Sequence, residues 1–224
     1  MAPFPFRIVG FDLDGTLLDT SGDLAAAVNH ALASVDRPPL PVERVRPMIG
    51  GGARQMLAQG MAATGGCDQD TLDILHQRLL AYYEVNISVH TRPFPGVVDS
   101  LDALAARGVA VGVMTNKIER FARALLDDLA LTGRFAAIVG GDTIGIAKPD
   151  PAPIHAMVER CGGLAGGGRA AFVGDSIYDV RAAKAAGLPV VACSFGFLDR
   201  PVEDLGADAV IDRYDELIGV LEGL

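Results

Sequence analysis

The sequence predicts an α/β fold: a doubly wound parallel sheet with a Rossmann-like core, and a helical cap inserted after the first strand. Short runs rich in Val, Ile and Ala recur at 7–12, 109–114, 135–140, 170–174, 189–193 and 208–211. Such continuous apolar runs mark strands buried on both faces. Stretches with helical spacing lie between most of them, and that alternation implies parallel pairing through right-handed crossovers. A third observation predicts the insert: about ninety residues separate the first run from the second, far more than one crossover needs.

The first run, Ile8-Val9-Gly10-Phe11, ends abruptly in Asp12-Leu13-Asp14-Gly15-Thr16. Ligands of open α/β sheets collect at the carboxyl ends of strands, so these acids stand where chemistry usually stands. Two residues apart in an extended segment, Asp12 and Asp14 point to one side. One can then act as nucleophile while the other moves protons. A hairpin turn at Asp14-Gly15 is the plainer alternative.

Beyond the first strand, Leu24, Val28, Ala31 and Val35 form one helical stripe, which Ser21 or Thr20 can cap and Pro38-Pro39 follows as a stop. In Ile49-Gly50-Gly51-Gly52-Ala53-Arg54 the glycines expose backbone N–H groups ahead of a predicted 53–63 helix. That is an anion nest suited to a small carboxylate, with Gly51 and Arg54 as candidate substrate contacts, or else a flexible turn. Leu72, Leu75, Leu79 and Tyr82 form a second stripe, and Arg92-Pro93-Phe94-Pro95-Gly96 leads back. The predicted cap is therefore 18–91, and the core is 1–17 with 92–224.

In the rest of the core, Val97, Val98, Leu101, Leu104 and Ala105 read as a helix, as do Phe121, Leu125, Leu126 and Leu129, and Ile154, Met157 and Val158. The strand ending at Met114 is followed by Thr115 and Asn116, a hydroxyl and an amide that can bond a phosphate oxygen or start a helix. Lys148, one of three lysines, lies in Ala147-Lys148-Pro149-Asp150. Its ammonium would screen a carboxylate nucleophile from an incoming phosphate, unless it is simply solvated. The strand ending at Gly174 carries Asp175 and, four residues on, Asp179. That spacing puts both on one side of a starting helical turn, a hard-oxygen set suited to magnesium, with a plain N-cap at Asp175 as the alternative. A Gly-rich loop spans 162–168, and no internal repeat is visible.

Composition narrows the class. Half of the 224 residues are hydrophobic, enough for a sizeable core. The net charge of −9 argues against nucleic acid as a partner. An anionic substrate then needs a site made locally positive by a metal, a lysine and backbone N–H groups. Cys67, Cys161 and Cys193 are too widely spaced for a zinc site or a disulfide framework. Residues 1–6 lack the apolar stretch of a signal peptide, and no membrane span is visible. The expectation is a cytoplasmic protein, monomer or homodimer, acting on a small metabolite.

Together these segments resemble the haloacid dehalogenase superfamily of phosphohydrolases, over essentially the whole chain. Phe11-Asp12-Leu13-Asp14-Gly15-Thr16-Leu17-Leu18-Asp19-Thr20, Ile49-Gly50-Gly51-Gly52-Ala53 and Lys148-Pro149-Asp150-Pro151-Ala152-Pro153 are similar to its phosphoglycolate phosphatase branch. The resemblance implies that Asp12 attacks phosphorus to give an aspartyl-phosphate, and that Asp14 protonates the leaving alcohol and then activates water. It implies that Thr115, Asn116 and Lys148 hold the phosphoryl group. Magnesium would sit at Asp12, the backbone carbonyl of Asp14 and Asp175, with Asp179 supporting the site from behind.

Other chemistries of the superfamily fit less well. Dehalogenases similar to this fold lack the second carboxylate, and Asp14 is present. Phosphonatases use a cap lysine, and 18–91 contains none. Mutases of similar architecture carry a histidine near the position of Asp23, and the nearest here is His30. Hydrolysis of 2-phosphoglycolate is the expectation. Another small substrate (a sugar phosphate or pyrophosphate) and a non-catalytic phospho-ligand module are the alternatives.

Overall fold

The computed structural model describes residues 3–164 and 168–224; residues 1 and 2, and 165–167 of the Gly-rich loop, lie outside the described residues. Six parallel strands form the main sheet: β1 (Ile8–Phe11), β4 (Ala110–Met114), β5 (Ala137–Val139), β6 (Ala170–Gly174), β7 (Val190–Cys193) and β8 (Ala209–Ile211). They correspond to the six apolar runs in the sequence. Their order, β5-β4-β1-β6-β7-β8, puts β1 near the centre and the reversal of chain direction beside it. Phe11 stands level with Val113 on one side and Val173 on the other. Asp12, Thr115 and Asp175 therefore leave the sheet along one edge, at the kind of crevice where open sheets bind ligands.

Side chains of β1 alternate between two apolar layers. Val9 and Phe11 join the layer shared with α5 (Val97–Ala106), α6 (Glu119–Asp128) and α9 (Leu217–Gly223). Ile8 joins the layer of α7 (Ala152–Arg160) and α8 (Ile177–Ala185). Gly10 faces α7 too, and a Cβ there would lie 2.3 Å from Met157 Cε and 2.8 Å from the Phe172 ring, so a larger residue would have to shift both side chains. Helices on both faces make the sheet doubly wound.

Between β1 and β4 the chain leaves and returns through a two-stranded antiparallel ribbon, β2 (Leu18–Asp19) with β3 (Arg92–Pro93). The helices carried on it are α1 (Ser21–Ala33), α2 (Val42–Val45), α3 (Ala53–Ala63) and α4 (Gln69–Val85). Asp23 ties the base of this insert together: its buried carboxylate accepts from the Thr91 N–H and hydroxyl at 2.9 and 2.7 Å, and from the His90 N–H.

Three local expectations are corrected. Neither Thr20 nor Ser21 caps α1 through its side chain; the Asp19 carboxylate accepts from the Ser21 N–H and hydroxyl instead. Leu32, not Val35, completes the buried stripe of α1, because the helix ends at Ala33. On α4 the buried aromatic is Tyr83, one residue past the expected Tyr82, which stacks on His30 at 4.4 Å. Among the described residues no helix is long and apolar enough to cross a membrane.

Candidate active site

Asp12 is the first residue after β1, and its N–H bonds the Val173 carbonyl at 2.9 Å. Lys148 reaches it from the loop before α7, with Nζ 2.9 Å from Asp12 Oδ1. The same ammonium lies 2.6 Å from Asp179 Oδ1 and 3.0 Å from the Met114 carbonyl. Two of these contacts are hydrogen bonds and the one to Asp12 is an ion pair, in a site where Lys148 is 4 % exposed. The solvated alternative for this lysine does not hold.

Asp14 has a separate partner. Lys117 Nζ donates to both of its carboxylate oxygens at 2.9 Å. Each of the two strand-end acids is therefore matched to its own ammonium.

Asp175 is set into a cradle made for it. Thr16 Oγ1 donates to one of its oxygens at 2.8 Å and the Phe197 N–H to the other at 2.6 Å. Gly15 (φ 84°) and Gly196 leave the space: a Cβ on either would lie within 2.3 Å of Asp175 side-chain atoms. Asp175 is not the helix cap. Ser176 caps α8, and Asp179 Oδ2 completes a capping box with the Ser176 N–H and hydroxyl. Asp179 so joins the cap of α8 to the Lys148 ammonium.

Oxygens of Asp12, Asp175 and Asp179 lie within 4.8 Å of one another. Burial, then repulsion from Asp179 and Asp14, pushes Asp12 up to about 7 against the pull of Lys148. Burial, followed by repulsion from Asp179 and Asp12, raises Asp175 well above the carboxylate range. Four carboxylates face two ammoniums here, so a divalent cation would relieve the excess. Hard carboxylate oxygens of this kind fit magnesium. The Asp14 carboxylate is engaged by Lys117.

Asp12, Asp14, Thr115, Asn116, Lys117 and the 50–54 segment line one cavity of about 270 Å³ between the sheet edge and the inserted helices. Thr115 is buried, and its hydroxyl accepts from the Lys117 N–H at 3.2 Å. Asn116 does something other than present its amide to a ligand. The amide donates to the carbonyls of Lys148 and Gly50 and accepts from the Lys148 N–H. Irregular backbone needs such partners, so Asn116 positions the Lys148 loop and ties it to the insert. Arg54 lines the cavity but is held by Asp73 and Gln69 at 2.7–3.0 Å. At Gly51 a Cβ would collide with Gln55, whose amide donates to the Tyr178 hydroxyl of α8 at 2.6 Å.

Residues 9–193 match the family model described as haloacid dehalogenase-like hydrolase. The chain belongs to that family. It is 44% identical over 207 residues to a phosphoglycolate phosphatase of Caulobacter vibrioides, covering 92% of this chain and 86% of that protein. A phosphoglycolate phosphatase of Rhodospirillum rubrum is 44% identical over 216 residues, 94% of this chain and 89% of the relative. Among solved structures, a predicted phosphoglycolate phosphatase from Haemophilus somnus superposes with a TM-score of 0.86 at 29% identity, covering 96% of this chain and 98% of that one.

Within this haloacid dehalogenase-like site, sequence reasoning missed Lys117 and Tyr83. Lys117 carried a usable signal. It is one of three lysines, and it directly follows the strand-end pair Thr115-Asn116. Nothing local marks Tyr83, which meets Lys117 only because α4 folds back over the sheet edge.

Proposed function

We propose that this hydrolase is a magnesium-dependent phosphatase that converts 2-phosphoglycolate to glycolate and phosphate through an aspartyl-phosphate. The observation that carries this reading is the Asp12–Lys148 contact of 2.9 Å at the end of the central strand, with Asp14 on the same cavity wall. Magnesium, when bound by Asp12, the Asp14 carbonyl and Asp175, supplies positive charge to the phosphoryl oxygens.

Asp12 attacks phosphorus, forming an O–P bond as the bond to the ester oxygen breaks. Asp14 delivers a proton to that oxygen, and glycolate leaves. Water then attacks the aspartyl-phosphate, Asp14 takes its proton, and phosphate departs with the Asp12 carboxylate restored. Lys148 sits against Asp12 and lowers the repulsion between nucleophile and phosphate, with Thr115 beside it. Asp179 fixes Lys148 and leaves direct metal contact to Asp175.

In this reading residues 18–91 act as a cap that excludes water, on a core of 1–17 and 92–224. The 50–52 glycine turn forms its roof, with Gly51 and Arg54 shaping the wall. The names of the relatives support phosphoglycolate as the substrate. Phosphate release from a panel of esters, with and without magnesium, tests it. Phosphoglycolate is expected to give the highest kcat/KM, and only with the metal. A sugar phosphate or pyrophosphate ranking above it would overturn the substrate assignment.

A further inference from the structure

One wall of the cavity has no task in the reaction above. Lys117 is 9% exposed, and two of its three ammonium hydrogens are spent on Asp14. Tyr83 comes in from α4 and lays its ring against that ammonium, 4.7 Å from centroid to Nζ. Its hydroxyl is buried and has no hydrogen-bond partner among the described residues. Both side chains line the cavity. Leaving a buried hydroxyl unpaired is costly, and a ligand in the cavity that the Tyr83 side chain lines would supply an acceptor. Burial pushes the Tyr83 hydroxyl up to about 12 against the pull of Lys117, so it stays an O–H donor.

The other basic groups on this wall are less suited to meet an anion. Arg54 is committed to Asp73 and Gln69. Burial, and then Arg54, lowers the His76 imidazole below its ordinary value and favours its neutral form. Lys117 combines full charge, burial and one ammonium hydrogen not used on Asp14.

We infer that Lys117 and the Tyr83 hydroxyl form the anchor for a carboxylate on the leaving-group side of the substrate. The inference rests on the phosphatase reading, which places Asp14 against the ester oxygen. In a phosphooxy acid of the form P–O–CH₂–COO⁻, one methylene separates that oxygen from the carboxylate. In the protein, the proton donor Asp14 and the Lys117 ammonium are likewise in direct contact. Proton delivery and carboxylate recognition are thus neighbours in both molecules. The carboxylate then lies on the Lys117–Tyr83 side and not at the Gly51–Arg54 turn, which the sequence offers as an anion nest or else a flexible turn. Because Tyr83 belongs to the inserted helices and Lys117 to the core, the anchor is complete only when α4 lies over the sheet edge.

The test compares kcat/KM for 2-phosphoglycolate with that for ethyl phosphate, the same ester without the carboxylate, in magnesium. The preference for phosphoglycolate should fall about tenfold or more in Lys117→Met, the scale of one charge-assisted hydrogen bond. In Tyr83→Phe it should fall severalfold. That change removes only an unpartnered hydroxyl and keeps the ring packing, so the variant folds. A general weakening of the site would lower both substrates alike and leave the ratio unmoved. A preference that survives both substitutions overturns the anchor while the substrate reading stands. A wild-type chain with no preference between the two esters overturns both.

Discussion

Lys148 and Asp179 form an ion pair with Nζ 2.6 Å from Oδ1, in which the lysine side chain is 1% exposed and the aspartate fully buried. The pair joins the loop that presents Lys148 to the capping box of α8, so the charge facing Asp12 is held by a helix start. Removing Asp179 would leave the Lys148 ammonium with Asp12 and the Met114 carbonyl, and the Ser176 N–H without its acceptor.

Asp179→Ala should therefore act mainly on stability. The expected loss is about 1–3 kcal/mol, the scale of a lost cap and a lost charge-assisted hydrogen bond, since Lys148 keeps Asp12 and the Met114 carbonyl. Thermal unfolding checks it. A melting temperature unchanged from wild type would mean that the Lys148–Asp179 contact holds nothing in place.

Asp175→Ala should act mainly on the metal. Thr16 and Phe197 orient its two oxygens, and its direct role predicts a rise in the magnesium concentration for half-maximal activity of about 10–100-fold or more. The shift should exceed that in Asp179→Ala. The reverse ranking in a magnesium titration would exchange the roles of the two acids. Calcium should restore a chelated enzyme poorly, because its looser, higher coordination misplaces the attack.

Gly15→Ala should reproduce much of the Asp175→Ala effect without touching a ligand. Gly15 has φ 84°, and its Cβ would lie 2.3 Å from Asp175 Oδ2. The added methyl must displace the carboxylate or the turn. Magnesium half-saturation close to wild type in this variant would mean that the cradle is not needed to place Asp175.

How much of this was legible in the sequence divides along physical lines. Six strands stood out because strands buried on both faces read as unbroken apolar runs, and each ended close to its expected place. Asp12, Asp14, Lys148, Asp175 and Asp179 could be singled out because each follows a strand end or precedes a helix start. What could not be read were pairings across the chain. Asp14 meets Lys117 over 103 positions, and Asn116 turns its amide to Gly50 and Lys148. Tyr82 and Tyr83 are adjacent aromatics on one helix, and the stripe alone does not fix which is buried. The fold of α4 over the sheet edge decides it, because there the Tyr83 ring meets Phe121 and Lys117 while Tyr82 faces His30 of α1.

Asp12→Asn replaces a carboxylate by a neutral amide of the same shape beside Lys148. Folding should be nearly unchanged, since Lys148 keeps Asp179 and the Met114 carbonyl. Turnover should fall about a thousandfold or more, as for other nucleophile replacements. Single-turnover hydrolysis by freshly prepared, undeamidated protein at the wild-type rate would remove Asp12 from the reaction.

The central claim is that Asp12 carries the phosphoryl group between the two halves of the reaction. Acid-quenching the enzyme during turnover of labelled 2-phosphoglycolate in magnesium, then digesting it and mapping the label, tests that directly. The label is expected on the peptide containing Asp12, present during turnover and absent once substrate is exhausted. Label on another peptide, or continued turnover with no labelled peptide under quench conditions that preserve acyl phosphates, would contradict it.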